Sequence, residues 1–205
     1  MSLPTYPSDL PTDALDAMIL AGSGPEPVFD NVMHDFLVES YAGLKQNCDR
    51  GGLLSFINLG RDNPWLFRLT FCTRGFTRPA NGDVTPIDRH VVALRFLPDY
   101  LRHADRFDML RLMVPINDAF HPNISPSGAI CVEIYPGEPL VEIAHSLHDL
   151  FRWRLRQYDE RDALNREACA WGRDHVDKPI DDRPLFGSRL ALQWQPSSNS
   201  QECKS

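Results

Sequence analysis

The chain has 205 residues, 42% hydrophobic and 24% charged, an ordinary globular balance that suits one domain with tails. Its net charge of −7 favours neither nucleic acid nor an anionic membrane as partner, and no apolar run approaches the ~20 residues needed to span a bilayer. Five cysteines (Cys48, Cys72, Cys131, Cys169 and Cys203), odd in number and without a CxxC pair, argue against a zinc knuckle or a disulfide scaffold.

Residues 1–27 hold five prolines and only short apolar stretches, so a flexible N-terminal arm is expected. The opening MSLPTYPSDLPTD lacks the basic start and apolar stretch of a secretory signal, and a soluble, cytoplasmic protein is expected. Val32, Phe36, Leu37, Ser40, Tyr41 and Leu44 fall at helical spacing, which predicts an amphipathic helix over residues 29–47, ended by Asp49, Gly51 and Gly52. Leu53–Leu59 reads as a first strand. Trp65, Phe67, Leu69 and Phe71 alternate with Leu66, Arg68 and Thr70, the period of a second strand with its apolar set in the core. Pro79–Pro86, containing Asn81-Gly82-Asp83, is predicted to be a long hairpin loop. His90–Leu97 and Met109–Val114 read as third and fourth strands, and four successive strands after a helix suggest an antiparallel meander in an α+β fold.

Asp118–Pro139 shows no regular pattern, and a loop of that length within a compact domain tends to be functional. Val141, Ala144, Leu147, Leu150 and Phe151 predict one helix, and Ala163–Trp171 another. The predicted organisation is an arm over 1–27, one domain over 28–180 and a C-terminal tail over 181–205, whose end, PSSNSQECKS, has the composition of a disordered segment.

The chemistry-bearing stretch is Phe120-His121-Pro122-Asn123-Ile124-Ser125-Pro126-Ser127-Gly128-Ala129-Ile130-Cys131, inside the long loop. It resembles the active-site signature of the ubiquitin-conjugating (E2) family: His-Pro-Asn-Ile, a turn with glycine, an apolar residue, then cysteine eight residues after the asparagine. Phe96-Leu97-Pro98-Asp99-Tyr100 looks like the family's Phe-Pro-x-x-Tyr segment, and Asp162-Ala163-Leu164-Asn165-Arg166-Glu167-Ala168 is similar to its Asp-Pro-Leu-Asn-x-Glu-Ala stretch. The resemblance covers roughly residues 29–175 in order. It implies a UBC-like fold: an N-terminal helix, a four-stranded meander, the active-site loop and C-terminal helices. Departures include the absent proline pair after Tyr100, extra residues within Leu101–Asp108, a missing tryptophan after the cysteine and a slightly short segment at Tyr135–Pro139. They fall where partners of the family bind and suggest a divergent member. With the arginine bias (only Lys45, Lys178 and Lys204 are lysines among 21 basic residues) they point to a bacterial conjugation operon, with antiviral defence as its setting. A GC-rich genome accounts for that bias, and a carrier of lysine-reactive thioesters would also gain from it.

The resemblance implies that Cys131 accepts a ubiquitin-like modifier from an E1-like activating enzyme and passes it to an amine, with an E3 or target protein as a further partner. No cofactor or metal is implied, since ATP is used by the E1. Thiolate chemistry suits such a carrier. Asn123 is implied as oxyanion stabiliser and loop former, His121 as a structural residue bonding backbone, and Asp162 as the acidic gate for the incoming amine, with Glu133 second. Pro122 would stiffen the turn and Gly128 would supply a conformation other residues resist. Plainer roles stand beside these: an inert core thiol for Cys131, a turn residue for Asn123 and a helix N-cap for Asp162. A catalytically silent E2-like binding module, or an unrelated cysteine hydrolase pairing Cys131 with His121 or His145, are the competing functions. His145 and His148 have helical spacing that could hold a metal but lack a third ligand, and Arg152, Arg154 and Arg156 read as a solvated basic face.

Overall fold

The structure, a computed structural model, describes residues 12–79, 82–113 and 119–187. Its helices are α1 (Thr12–Ser23), α2 (Asn31–Cys48), α3 (Arg106–Met109), α4 (Leu140–Phe151) and α5 (Arg166–His175). Its strands are β1 (Leu54–Asn58), β2 (Leu66–Phe71), β3 (Gly75–Thr77), β4 (Thr85–Ile87), β5 (His90–Arg95) and β6 (Leu110–Leu112). An antiparallel four-stranded sheet runs β1-β2-β5-β6, so the α+β class and a four-stranded antiparallel sheet are present, with the β3–β4 pair inserted between its second and third strands.

Register explains why β2 is buried on both faces. Phe67, Leu69 and Phe71 oppose Leu94, Val92 and His90 of β5 and share one face. On that face Phe67 stacks with Tyr41 of α2, and Phe71 meets Phe151 of α4. Met33, Leu37 and Leu44 of α2 and Leu140, Ile143, Ala144 and Leu147 of α4 complete this main core. Ser40 lies in the α2 stripe because its hydroxyl caps the next layer: Leu140 N donates to Ser40 Oγ at 2.7 Å, satisfying an orphan amide at the start of α4 where Pro139 has no side chain to do so.

The opposite face corrects the expectation of a flexible arm to residue 27. Residues 12–23 form α1, whose Leu15 and Ile19 are buried, and Asp16 pairs with Arg68 of β2 at 2.8 Å. The tail prediction is corrected in the same way over 181–187. Leu53 N donates to Leu185 O, Gly187 N donates to Gly51 O, and Leu185 is buried. Asp181, held by the Arg74 amide and the Arg183 guanidinium, has its carboxyl pulled well below the usual range, chiefly by Arg183. Residues 1–11 of the arm and 188–205 of the tail, with Asn81, Val114 and Asp118, lie outside the described residues. The hairpin loop expected over Pro79–Pro86 is shorter at its end: Thr85 and Pro86 belong to β4, which pairs with β3 as a separate ribbon. None of the described helices is long and apolar enough to cross a membrane.

Candidate active site

The eight-residue spacing of Asn123 and Cys131 has a geometric cause. Ile124 and Ile130, both buried, form an antiparallel bridge, so residues 123 and 131 face each other across a narrow hairpin. Its tip closes through Ser125, which receives Gly128 N on its carbonyl and Ala129 N on its hydroxyl. Gly128 has φ of 89°, a left-handed conformation that a side chain resists. Cys131 N donates to Asn123 O at 2.8 Å, and Asn123 Nδ2 returns a bond to Cys131 O at 2.9 Å. Leu112 N donates to Gly128 O, tying the hairpin to β6.

Cys131 itself is half-buried. Val132 and Ile134 turn into the core while Glu133 and Tyr135 are exposed, so an extended chain sets Glu133 and Tyr135 on the same outward side as Cys131. The negative charge of Glu133 beside the Tyr135 hydroxyl pushes that phenol up. On the inner side the buried Tyr100 directs its hydroxyl at the carbonyls of Tyr135 (3.1 Å) and Glu138 (2.8 Å), which fixes the chain beyond the cysteine.

A second segment lies against the hairpin. Gln157 N donates to Asn123 Oδ1 at 2.7 Å, and Asn165 N donates to Pro122 O at 3.1 Å. Asn123 thus bonds both Cys131 and residues 157–165 through one side-chain amide. Asn165 is also the N-cap of α5, accepting Ala168 N at 3.0 Å. This corrects both the helix start expected at Ala163 and the capping role considered for Asp162. Asp162 is exposed, and its amide donates to Asp159 O. It belongs to the segment that Asn123 and Pro122 anchor, so Asp162 and Glu133 lie on separate stretches of chain that both adjoin the hairpin.

His121 is buried, and its Nδ1 accepts Asn123 N at 3.1 Å. The bond assigns the proton of the neutral ring to Nε2, which has no hydrogen-bond partner among the described residues. Burial, with the nearby His90 and Arg156, pulls its pKa down to about 3. A neutral, buried ring with Nδ1 occupied is a structural element, and no hydrogen bond joins it to the Cys131 thiol among the described residues. His145 packs on Phe186, and His148 spends its nitrogens on Thr73 Oγ1 and Arg183 O.

Beneath the hairpin lies a feature with no counterpart in the sequence motif. Trp153 follows α4 with φ of 65°, a conformation that costs a bulky residue about 1–2 kcal/mol. It is buried 4.8 Å from the His121 ring and also meets Phe76 and Trp171. A Cβ at Gly172 would come within 2.3 Å of the Trp153 ring, so only glycine admits it. The strained turn sends the chain from α4 back to Asn123. Arg152 and the exposed Arg154 both pair with Asp149, and Arg156 lies over Tyr158. Gln157 carries no signal in the sequence because it reaches Asn123 through its backbone amide, which any residue but proline carries.

The chain matches no protein-family model, and a comparison with curated proteins gave no match.

Proposed function

We propose that the chain is a divergent E2-type conjugating enzyme of UBC-like fold, carrying a ubiquitin-like protein as a thioester on Cys131. The observation that supports this most is the reciprocal pairing of Cys131 and Asn123 across the hairpin, with Asn123 also bonded to the segment that contains Asp162. The order of elements, a helix, a four-stranded meander, the irregular loop and two helices, supports the same family.

In the first step the Cys131 thiolate attacks the carbonyl carbon of the E1 thioester. The new C–S bond forms as the E1 sulfur leaves as thiolate. In the second step an amine, most simply a lysine, attacks the Cys131 thioester. The tetrahedral oxyanion collapses to an amide, Cys131 leaves as thiolate, and the amine proton goes to an acidic side chain or to water. Asn123 Nδ2 spends one N–H on Cys131 O, and an amide nitrogen carries two, so a second donor remains for the oxyanion. Donors of this kind are worth about 3–4 kcal/mol. Asp162 is the first candidate to receive the proton, and Glu133, two residues beyond Cys131, the second.

The test is a charging reaction with an E1-like enzyme, ATP and a glycine-terminated ubiquitin-like protein. Wild type should form an adduct that thiol reductant removes. Cys131→Ser should give an adduct that reductant does not remove, and Cys131→Ala none. An adduct on Cys131→Ala would sink the proposal. So would full function of that variant in cells, which would identify a binding module instead.

A further inference from the structure

Asn123 could serve an oxyanion only if its amide plane is fixed, because a free Asn side chain rotates about its last bond. One half of that plane is held by Cys131 O. The other half depends on where residue 157 points its N–H. Three contacts fix that peptide. Gln157 Oε1 accepts both Tyr158 N (2.8 Å) and Asp159 N (3.1 Å), folding the chain into a tight turn around its own side chain. The Cys169 Sγ donates to Gln157 O at 3.3 Å from within α5. Asn165 N–H to Pro122 O anchors the far end of the segment.

We infer that Gln157 and Cys169 are positioning residues for Asn123: the glutamine side chain and the buried thiol together orient the Gln157 peptide so that its N–H locks the Asn123 amide beside Cys131. The inference rests on the carrier function proposed above for its consequence, but not for its geometry. Cys169 is suited to the task because it is buried on the inner face of α5, one turn after the Asn165 cap that itself touches the hairpin. Burial pushes its thiol up, keeping it a protonated donor. The half-exposed Cys131 and the buried Cys169 therefore have opposite duties at the two ends of one hydrogen-bond chain: Cys131 O, Asn123, Gln157, Cys169 Sγ.

Two pairs of variants separate the bond from the volume. Cys169→Ser and Cys169→Ala have similar size and differ in the donor. Gln157→Glu keeps the side-chain acceptor that Gln157→Leu removes. The first readout is the Asn123 side-chain NH2 signal in a nitrogen-edited NMR spectrum, followed for protection from solvent exchange. The second is release of an acyl group from Cys131 to free lysine, the acyl group being loaded from a short Gly-Gly peptide as its mercaptoethanesulfonate thioester.

Wild type, Cys169→Ser and Gln157→Glu should keep a protected Asn123 signal. Cys169→Ala and Gln157→Leu should lose that protection, and their kcat for lysine should fall about ten- to a hundredfold, the scale of a small misplacement of a reacting group, with KM for lysine unchanged. The inference is overturned if the Ala and Leu variants retain the wild-type Asn123 signal and kcat. It is also overturned if Ser and Glu fail to rescue, which would mean packing rather than positioning. If wild type takes no acyl group, the carrier function fails, while the NMR arm still decides whether the brace exists.

Discussion

The four-stranded sheet and the hairpin at Asn123–Cys131 solve the same problem, satisfying backbone amides near a core, in different ways. The sheet repeats one bond pattern along β1, β2, β5 and β6, and any non-proline residue can supply it. The hairpin and its surroundings rely on side chains: His121 Nδ1, Ser125 Oγ and both ends of the Asn123 amide each hold a backbone group. A sheet of this kind tolerates substitution on its exposed positions. The hairpin concentrates its stability in a few residues that also shape the candidate site.

The largest expected effect on this contrast comes from acid. Burial holds His90 and His121 neutral with pKa values of about 3, against about 6.5 in an unfolded chain. The unfolded chain therefore binds more protons between those values. The contribution is complete above pH 6.5 and is lost as pH falls toward 3, by up to about 1.4 kcal/mol per pH unit for each histidine. His148, also lowered by burial, acts in the same sense. Urea unfolding at pH 7.5 and 4.5 should differ by roughly 5 kcal/mol, and a flat profile over that range would contradict the burial of both rings.

Next in size, Asn123→Ala should cost about 2–4 kcal/mol in urea unfolding, because it strands Gln157 N and Cys131 O together. It should also slow lysine discharge by ~10²–10³. Ile19→Ala should cost about 2 kcal/mol by thermal or urea unfolding if α1 is part of the folded core, and nothing if the first residues are an arm. Smallest of all, Ile57→Thr on exposed β1 should change stability by less than about 0.5 kcal/mol, which marks the tolerance of the ladder.

Much of this was legible in the sequence where spacing dictates geometry. The alternation of Trp65 to Phe71 placed β2, and the Asn123–Cys131 interval marked the chemistry-bearing stretch, although its hairpin lay inside what reads only as an irregular loop. What stayed hidden was tertiary. Helix α1 buries little more than Leu15 and Ile19, too few positions to stand out beside five prolines. The Asp181–Arg183 clasp joins residues 181–187 to Arg74, more than a hundred positions away in sequence, and no local pattern announces that. Asp162 suggested a cap because aspartate precedes an apolar run, but Asn165 won that place by bonding Pro122 O with its own N–H as well. Trp153 carries its strain for the sake of a cluster assembled from β3, the hairpin and α5.

The most direct test is an intact-mass measurement after charging with an E1-like enzyme, ATP and a glycine-terminated ubiquitin-like protein. A carrier of this kind should gain one modifier mass, lost on treatment with thiol reductant and mapped by digestion to Cys131 alone. An unmodified chain with every such pair, or a reductant-labile adduct on Cys72 or Cys48 with Cys131 free, would contradict it.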